Sequence, residues 1–174
     1  MSSNIRYLYY AEGPCEKKLL EELKKVQAII SGRVNVFNAA QEALTPERLR
    51  LLSPNTIVIM LLDTDAGNYE ILSNNIRLLK KNRNIKDIWL ILQVNNLEEE
   101  LMRVTDVREI KELIGCKSNK DFKSAFISEK NLIVKLLHHN MNFGRLWMSK
   151  PNGIYKDFVN NGWRIKRVDS LSSV

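Results

Sequence analysis

The chain has 174 residues, enough for one well-buried core and too few for two comfortable domains, so a single domain over 1–174 is expected. Its 44% hydrophobic and 27% charged residues match an ordinary globular protein and exclude a disordered or low-complexity chain. The 27 Lys and Arg outweigh 20 Asp and Glu, and the resulting net charge of +7 favours polyanionic partners, DNA or RNA.

Apolar runs reach only strand length, and no basic-then-apolar leader opens the chain. Neither a membrane span nor a signal peptide is therefore expected, and a cytoplasmic location without membrane contact follows. Cys15 and Cys116 are the only cysteines; they sit in no CxxC or Cys/His ligand spacing and read as free thiols.

Residues 5–10, rich in aromatic and aliphatic side chains, predict a first strand, followed by a Gly13-Pro14 turn. Over 16–30, Leu19, Leu20, Leu23, Val26 and Ile30 recur at helical spacing, with Ser31-Gly32 as the stop. Residues 33–38 alternate as a short strand, and Thr45-Pro46 opens a helix that reaches about Leu52 before Ser53-Pro54-Asn55 breaks it. The continuously apolar run 56–62 reads as a central parallel strand covered on both faces, ending on Asp63. A helix over 69–81 buries Ile71, Leu72, Ile76 and Leu79, and a second buried strand, holding Trp89 as a core residue, covers 87–94. Helical pieces follow at 107–114, 119–127 and 129–138. Alternating strand and helix implies right-handed βαβ units, hence an α/β fold with a mostly parallel, Rossmann-like sheet flanked by helices. The core is expected over about 4–123, with a helical, basic C-terminal extension over about 124–174.

The positive charge is clustered. Arg77, Lys80, Lys81, Arg83 and Lys86 form a block without an acid. The segment 145–167 carries Arg145, Lys150, Lys156, Arg164, Lys166 and Arg167 against the single acid Asp157, interleaved with Trp147, Tyr155, Phe158 and Trp163. Cations with aromatics suit phosphate contact and base stacking; the same aromatics equally suit the core of a C-terminal element. Arg77, Lys80, Lys81, Lys156, Arg164 and Lys166 are the candidate nucleic-acid contacts.

Two acidic signatures carry the chemistry. Glu12-Gly13-Pro14-Cys15-Glu16 follows the first strand, and Asp63-Thr64-Asp65 follows the central one. Carboxylates at the carboxyl ends of parallel strands converge in the crevice where such sheets bind ligands, and hard divalent cations prefer such oxygens. The adjacent His138-His139 pair points in directions about 100° apart on a helix and cannot serve one ion at i, i+4 spacing. Cys15, followed by Glu16 rather than a base, lacks what a nucleophilic thiol needs.

In type and order these residues resemble the Toprim-domain nucleases, most closely the small OLD-like and RloB-like proteins of bacterial phage defence. Their EGxxE pattern is matched by Glu12 to Glu16 and their DxD by Asp63 and Asp65; Asn96-Leu97-Glu98 is similar to a further acidic position. The resemblance covers about 5–123 and implies a Toprim-like fold and Mg²⁺- or Mn²⁺-dependent phosphodiester hydrolysis. It implies Glu12, Asp63 and Asp65 as catalytic metal ligands, Glu16 and Glu98 as further ligands, and a catalytic lysine at Lys117 or Lys123. No GxxxxGK[ST] is present, so an ATPase would be a separate partner chain, and a homo-oligomer is the other assembly considered. Two alternatives stand beside the nuclease: a non-catalytic nucleic-acid- or partner-binding module of the same fold, and a DxD phosphatase with Asp63 as nucleophile. The latter normally has Thr or Val where Gly67 stands here.

Overall fold

The computed structural model describes residues 4–167, so residues 168–174 of the expected C-terminal extension lie outside the described residues. Strands β1 (Arg6–Ala11), β2 (Arg33–Val36), β3 (Thr56–Asp63) and β4 (Ile85–Gln93) form one sheet in the order β2-β1-β3-β4, and every pairing is parallel. Helices α1 (Pro14–Lys25), α2 (Pro46–Arg50) and α3 (Tyr69–Lys81) connect the strands. Helices α4 (Leu97–Val104), α5 (Ile110–Ile114), α6 (Phe122–Ser128) and α7 (Leu132–His138) follow, then short 3-10 turns. This is the expected α/β fold with a Rossmann-like parallel sheet. No helix among the described residues is long and apolar enough to cross a membrane.

Strand periodicity divides the core into two layers. Tyr9, Ala11, Ile57, Ile59, Leu61 and Ile91 face α1, α4, α5, α6 and α7, with Leu146, Trp147 and Ile165 in the same cluster. Leu8, Tyr10, Val58, Met60, Leu62, Leu90 and Leu92 face the other way, against α3, the 37–44 loop and Tyr155. The chain steps to one side of β1 through α1 and to the other side of β3 through α3. Right-handed crossovers then require the two helices to lie on opposite faces, as they do. The order reverses between β1 and β3, which makes their carboxyl ends the switch point of the sheet.

Two expectations are corrected. The helical spacing of Val26 and Ile30 predicts α1 as far as residue 30, but the helix ends at Lys25. Gln27 takes φ 58°, its N–H reaching Lys24 O at 3.0 Å while the Ala28 N–H reaches Leu23 O at 2.9 Å, a left-handed stop built without glycine. Gly32 serves packing instead: a Cβ there would stand 2.6 Å from Tyr7 O.

The other correction concerns β4, which is not covered on both sides along its length. It is an edge strand, and Trp89 is half-buried at the rim of the core. Its outer edge is satisfied by asparagines. Leu90 N–H donates to Asn161 Oδ1 at 3.0 Å and Leu92 N–H to Asn160 Oδ1 at 3.1 Å, while Asn161 N–H and Asn160 Nδ2 donate to Leu90 O and Leu92 O at 2.6 and 2.9 Å. Side chains thus imitate a neighbouring strand and block edge pairing. Asn160→Ala strips both partners from Leu92 and should lower stability by about 2 kcal/mol in urea unfolding. An unchanged midpoint would show that water replaces these bonds at no cost.

Candidate functional site

The carboxyl ends of all four strands are tied together by side chains and loop backbone. Glu12, directly after β1, accepts the Asp63 N–H on Oε2 at 2.7 Å and the Asn38 Nδ2 on Oε1 at 2.8 Å. Asn38 lies beyond β2 and is held by its own acceptance of the Ala40 N–H at 3.1 Å. On the other side, the Thr64 N–H reaches Gln93 O and Asn95 O at 3.0 and 2.9 Å, and the Asp65 N–H reaches Asn95 O at 3.0 Å. Asn95, in the left-handed region at φ 66°, returns its own N–H to Thr64 Oγ1 at 2.8 Å, and Asn96 Nδ2 donates to Asp65 Oδ2 at 2.9 Å. The loops after β3 and β4 therefore act as one unit.

Glu16 lies in the first turn of α1, buried with its carboxylate toward the Gly13 loop; a Cβ on Gly13 would stand 3.0 Å from Glu16 Oε2. Glu98, in the first turn of α4, pairs with Lys123 of α6 at 3.4 Å. That ion pair contributes little stability, because the lysine side chain is mostly exposed. Lys117 is exposed after α5 and forms no ion pair among the described residues, so of the two candidate lysines Lys123 is the one beside the carboxylates.

Crowding shows in the protonation of the cluster. Burial pushes Asp63 up to about 9, reinforced by the charges of Glu12, Glu16, Asp65 and Glu98. Burial also raises Glu12, against the opposing donors Asp63 N–H and Asn38, and raises Glu16, with Glu12 and Glu98 adding to it. The neighbouring Cys15 thiol is pushed up to about 11 by burial and then by Glu16 and Glu98, which keeps it a thiol. Lys123 is raised, chiefly by Glu98.

Asp63 Oδ1 is buried without a hydrogen-bond partner, as are both amide atoms of Gln93, its register partner on β4. Of these orphaned atoms the two oxygens, Asp63 Oδ1 and Gln93 Oε1, are of the ligand type that suits a hard cation. The oxygens are not drawn into a coordination shell: among the described residues, no group of three or more His, Cys, Asp or Glu side chains is arranged to hold a metal ion. Carboxylate oxygens are the ligand type that Mg²⁺ and Mn²⁺ prefer, and both oxygens of Glu12 are here taken by protein donors.

Two participants escape sequence reasoning. Asn38 belongs to a loop with no motif. Tyr155, read as part of a basic tail, is fully buried and donates its hydroxyl to Ala66 O at 2.9 Å. It is close enough to Glu12, Asp63 and Asp65 for their charges to add to the burial that raises its pKa. The contact requires glycine at 67, where φ is 107° and a Cβ would stand 2.5 Å from the Tyr155 hydroxyl.

The nucleic-acid candidates are scattered. Arg77, Lys80 and Lys81 are exposed on α3, as is Lys156 in the C-terminal segment. Arg164 is spent on Asp87 at 3.1 Å and on the rings of Trp89 and Trp163, and Lys166 donates to Gly144 O at 2.9 Å, with burial bringing it down to about 8. Of the interleaved aromatics, Trp147 and Tyr155 are core, whereas Trp163 is 57% exposed. His139 contacts Asp106 rather than any candidate ligand.

Comparison with family models, with curated proteins and with solved structures finds no match for this chain.

The Asp63 shift sets a pH dependence. The unfolded carboxyl ionises near its ordinary value of 3.8 and the folded one at about 9. Its stability contribution is therefore complete below the first value and is lost as pH rises toward the second. In EDTA, Asp63→Asn should melt above the wild type at pH 8 and level with it at pH 4. Equal melting at pH 8 would place Asp63 in a polar, unstrained setting.

Proposed function

We propose that this protein is a Toprim-type nuclease that hydrolyses phosphodiester bonds in DNA or RNA with the help of Mg²⁺ or Mn²⁺. The observation that carries the reading is the hydrogen bond from the Asp63 N–H to the Glu12 carboxylate. It sets the glutamate after β1 beside the DxD after β3, at the switch point of a parallel sheet, so one phosphate can approach both.

Glu12, Asp63 and Asp65 would hold the cation, with Glu16 and Glu98 close by. Once bound, such a cation polarises a phosphoryl oxygen and lowers the pKa of water. The protein's own groups do the rest. Asn38 and the Asp63 N–H orient Glu12, and Asn96 orients Asp65. Lys123, already beside Glu98, supplies positive charge against the extra negative charge of the pentacoordinate centre. Exposed Arg77, Lys80, Lys81 and Lys156 are available to phosphates outside the centre, and Trp163 to a base. A role in phage defence and an ATPase partner belong to the same proposal and rest on the resemblance alone.

With Mn²⁺ or Mg²⁺ the purified protein should cleave DNA or structured RNA, and EDTA should stop it. Glu12→Gln should lower kcat by about a hundredfold or more while leaving substrate affinity nearly unchanged. Mn²⁺ should raise the melting temperature of the wild type and not that of Asp63→Ala. Full activity in purified Glu12→Gln and Asp65→Asn would reject the mechanism. An inactive wild type across DNA, RNA and tRNA panels would favour the binding-module alternative.

A further inference from the structure

Away from the carboxylates, α2 and the turn after it stand over the first half of β1 and leave a cleft of about 220 Å³ against β1 and β2. Its floor is Leu8 and Tyr10, and Arg33 and Asn35 lie beside them in register, so all four share one face of the sheet. Arg6 enters from the start of β1 and Arg48 from α2. Three arginines from three separate elements thus line one cleft, whose walls include no Asp or Glu among the described residues.

None of the three forms an ion pair among the described residues, although the neighbouring Arg50 does, with Glu47. Arg33 donates from Nε to Asn35 Oδ1 at 3.2 Å, and the Arg48 guanidinium carbon lies 4.5 Å from the centre of the Phe37 ring, a contact that takes none of its N–H donors. Burial raises the pKa of the Tyr10 hydroxyl, and the charges of Arg48 and then Arg33 oppose that rise. Leu51, 83% exposed at the rim, adds an apolar wall.

All three arginines are exposed, and their like charges around one cleft favour an anion there. A carboxylate has two oxygens and is satisfied by one guanidinium fork; a tetrahedral dianion presents enough oxygens for several forks. The run from Arg6 to Tyr10 spans only about 13 Å of strand, which suits a small ligand or a chain end rather than a long duplex. We propose that this cleft binds a phosphomonoester, carried by a free nucleotide or by the phosphorylated end of a nucleic-acid strand. The site is separate from the acidic cluster, which follows the opposite end of β1, and does not depend on the function proposed for that cluster.

The test is calorimetry on the full chain in EDTA, so that cation-dependent binding does not contribute. Inorganic phosphate, adenosine 5′-monophosphate and a short oligonucleotide with either a 5′-phosphate or a 5′-hydroxyl are the probes. Phosphate and the mononucleotide should bind the wild type, and the double variant Arg33→Gln, Arg48→Gln should weaken both at least tenfold. Glu12→Gln should leave both unchanged. Arg33→Lys with Arg48→Lys, keeping charge without the fork, should fall between. Tenfold preference for the 5′-phosphorylated oligonucleotide identifies a strand end as the source, and absence of preference with retained mononucleotide binding identifies a free nucleotide. Failure of phosphate and mononucleotide to bind the wild type, or equal binding by a folded double-Gln variant, overturns the proposal. Either result leaves cation-dependent cleavage at Glu12 and Asp63 to stand or fall by itself.

Discussion

The hydrogen bond from the Asp63 amide to the Glu12 carboxylate spans the place where the sheet stops supplying its own partners. Up to Ala11 and Leu61 the two central strands satisfy each other through the ladder; one step further, backbone groups need side chains instead. Glu12 and Thr64 provide them, while Asn38 and Asn96 donate to the Glu12 and Asp65 carboxylates, and together they pin the acidic residues in place. The cost is unevenly shared. Glu12 has two donors to offset burial, whereas Asp63 Oδ1 has none, and so Asp63 bears the larger shift.

The acidic cluster is set into a basic protein. The excess of +7 is carried partly by α3 and by the arginine cleft, on the sheet face opposite α1. Under the proposed function, the field of this positive charge would offset part of the repulsion between the clustered carboxylates and an approaching nucleic acid. Charges counted in the sequence do not all contribute to that field: Arg164 is compensated by Asp87, and Lys166 is half-buried over Phe143.

The sheet was legible where local signals and tertiary demands agree. Residues 56–62 could hardly be other than a covered central strand, and the helix expected over 69–81 is found at Tyr69–Lys81, with Leu72 and Leu79 buried and Ile71 and Ile76 half-buried. The positions of Glu12, Asp63 and Asp65 followed from those strands, because the residue after a parallel strand has only one region in which to lie. What remained hidden depends on distant partners. Nothing near β4 announces that Asn160 and Asn161 will serve as its neighbouring strand, and an apolar run such as 88–94 reads alike at an edge or a centre. Asn38 and Tyr155 reach the site from loops with no periodicity to mark them, and Gln27 takes a left-handed conformation where glycine would have been the visible signal.

Residues 146–166 pass round the β4 edge and leave a large side chain on each face of the sheet: Trp147, whose backbone N–H donates to the buried Glu100 carboxylate, and Tyr155, whose hydroxyl donates to Ala66 O. Ile165 and Lys166 then close against the segment before β2, the Ile30 N–H reaching Ile165 O at 2.8 Å. Every one of these contacts joins residues far apart in the chain, so their loop-closure entropy is recovered only when the sheet already exists. During synthesis the four strands and α1 leave the ribosome long before this strap. Until the strap emerges, the loop after β3 lacks its Tyr155 anchor and the outer edge of β4 lacks Asn160 and Asn161. Completion of the strap therefore sets the moment at which the newborn chain covers an edge open to strand pairing and fixes the loop that carries Asp65.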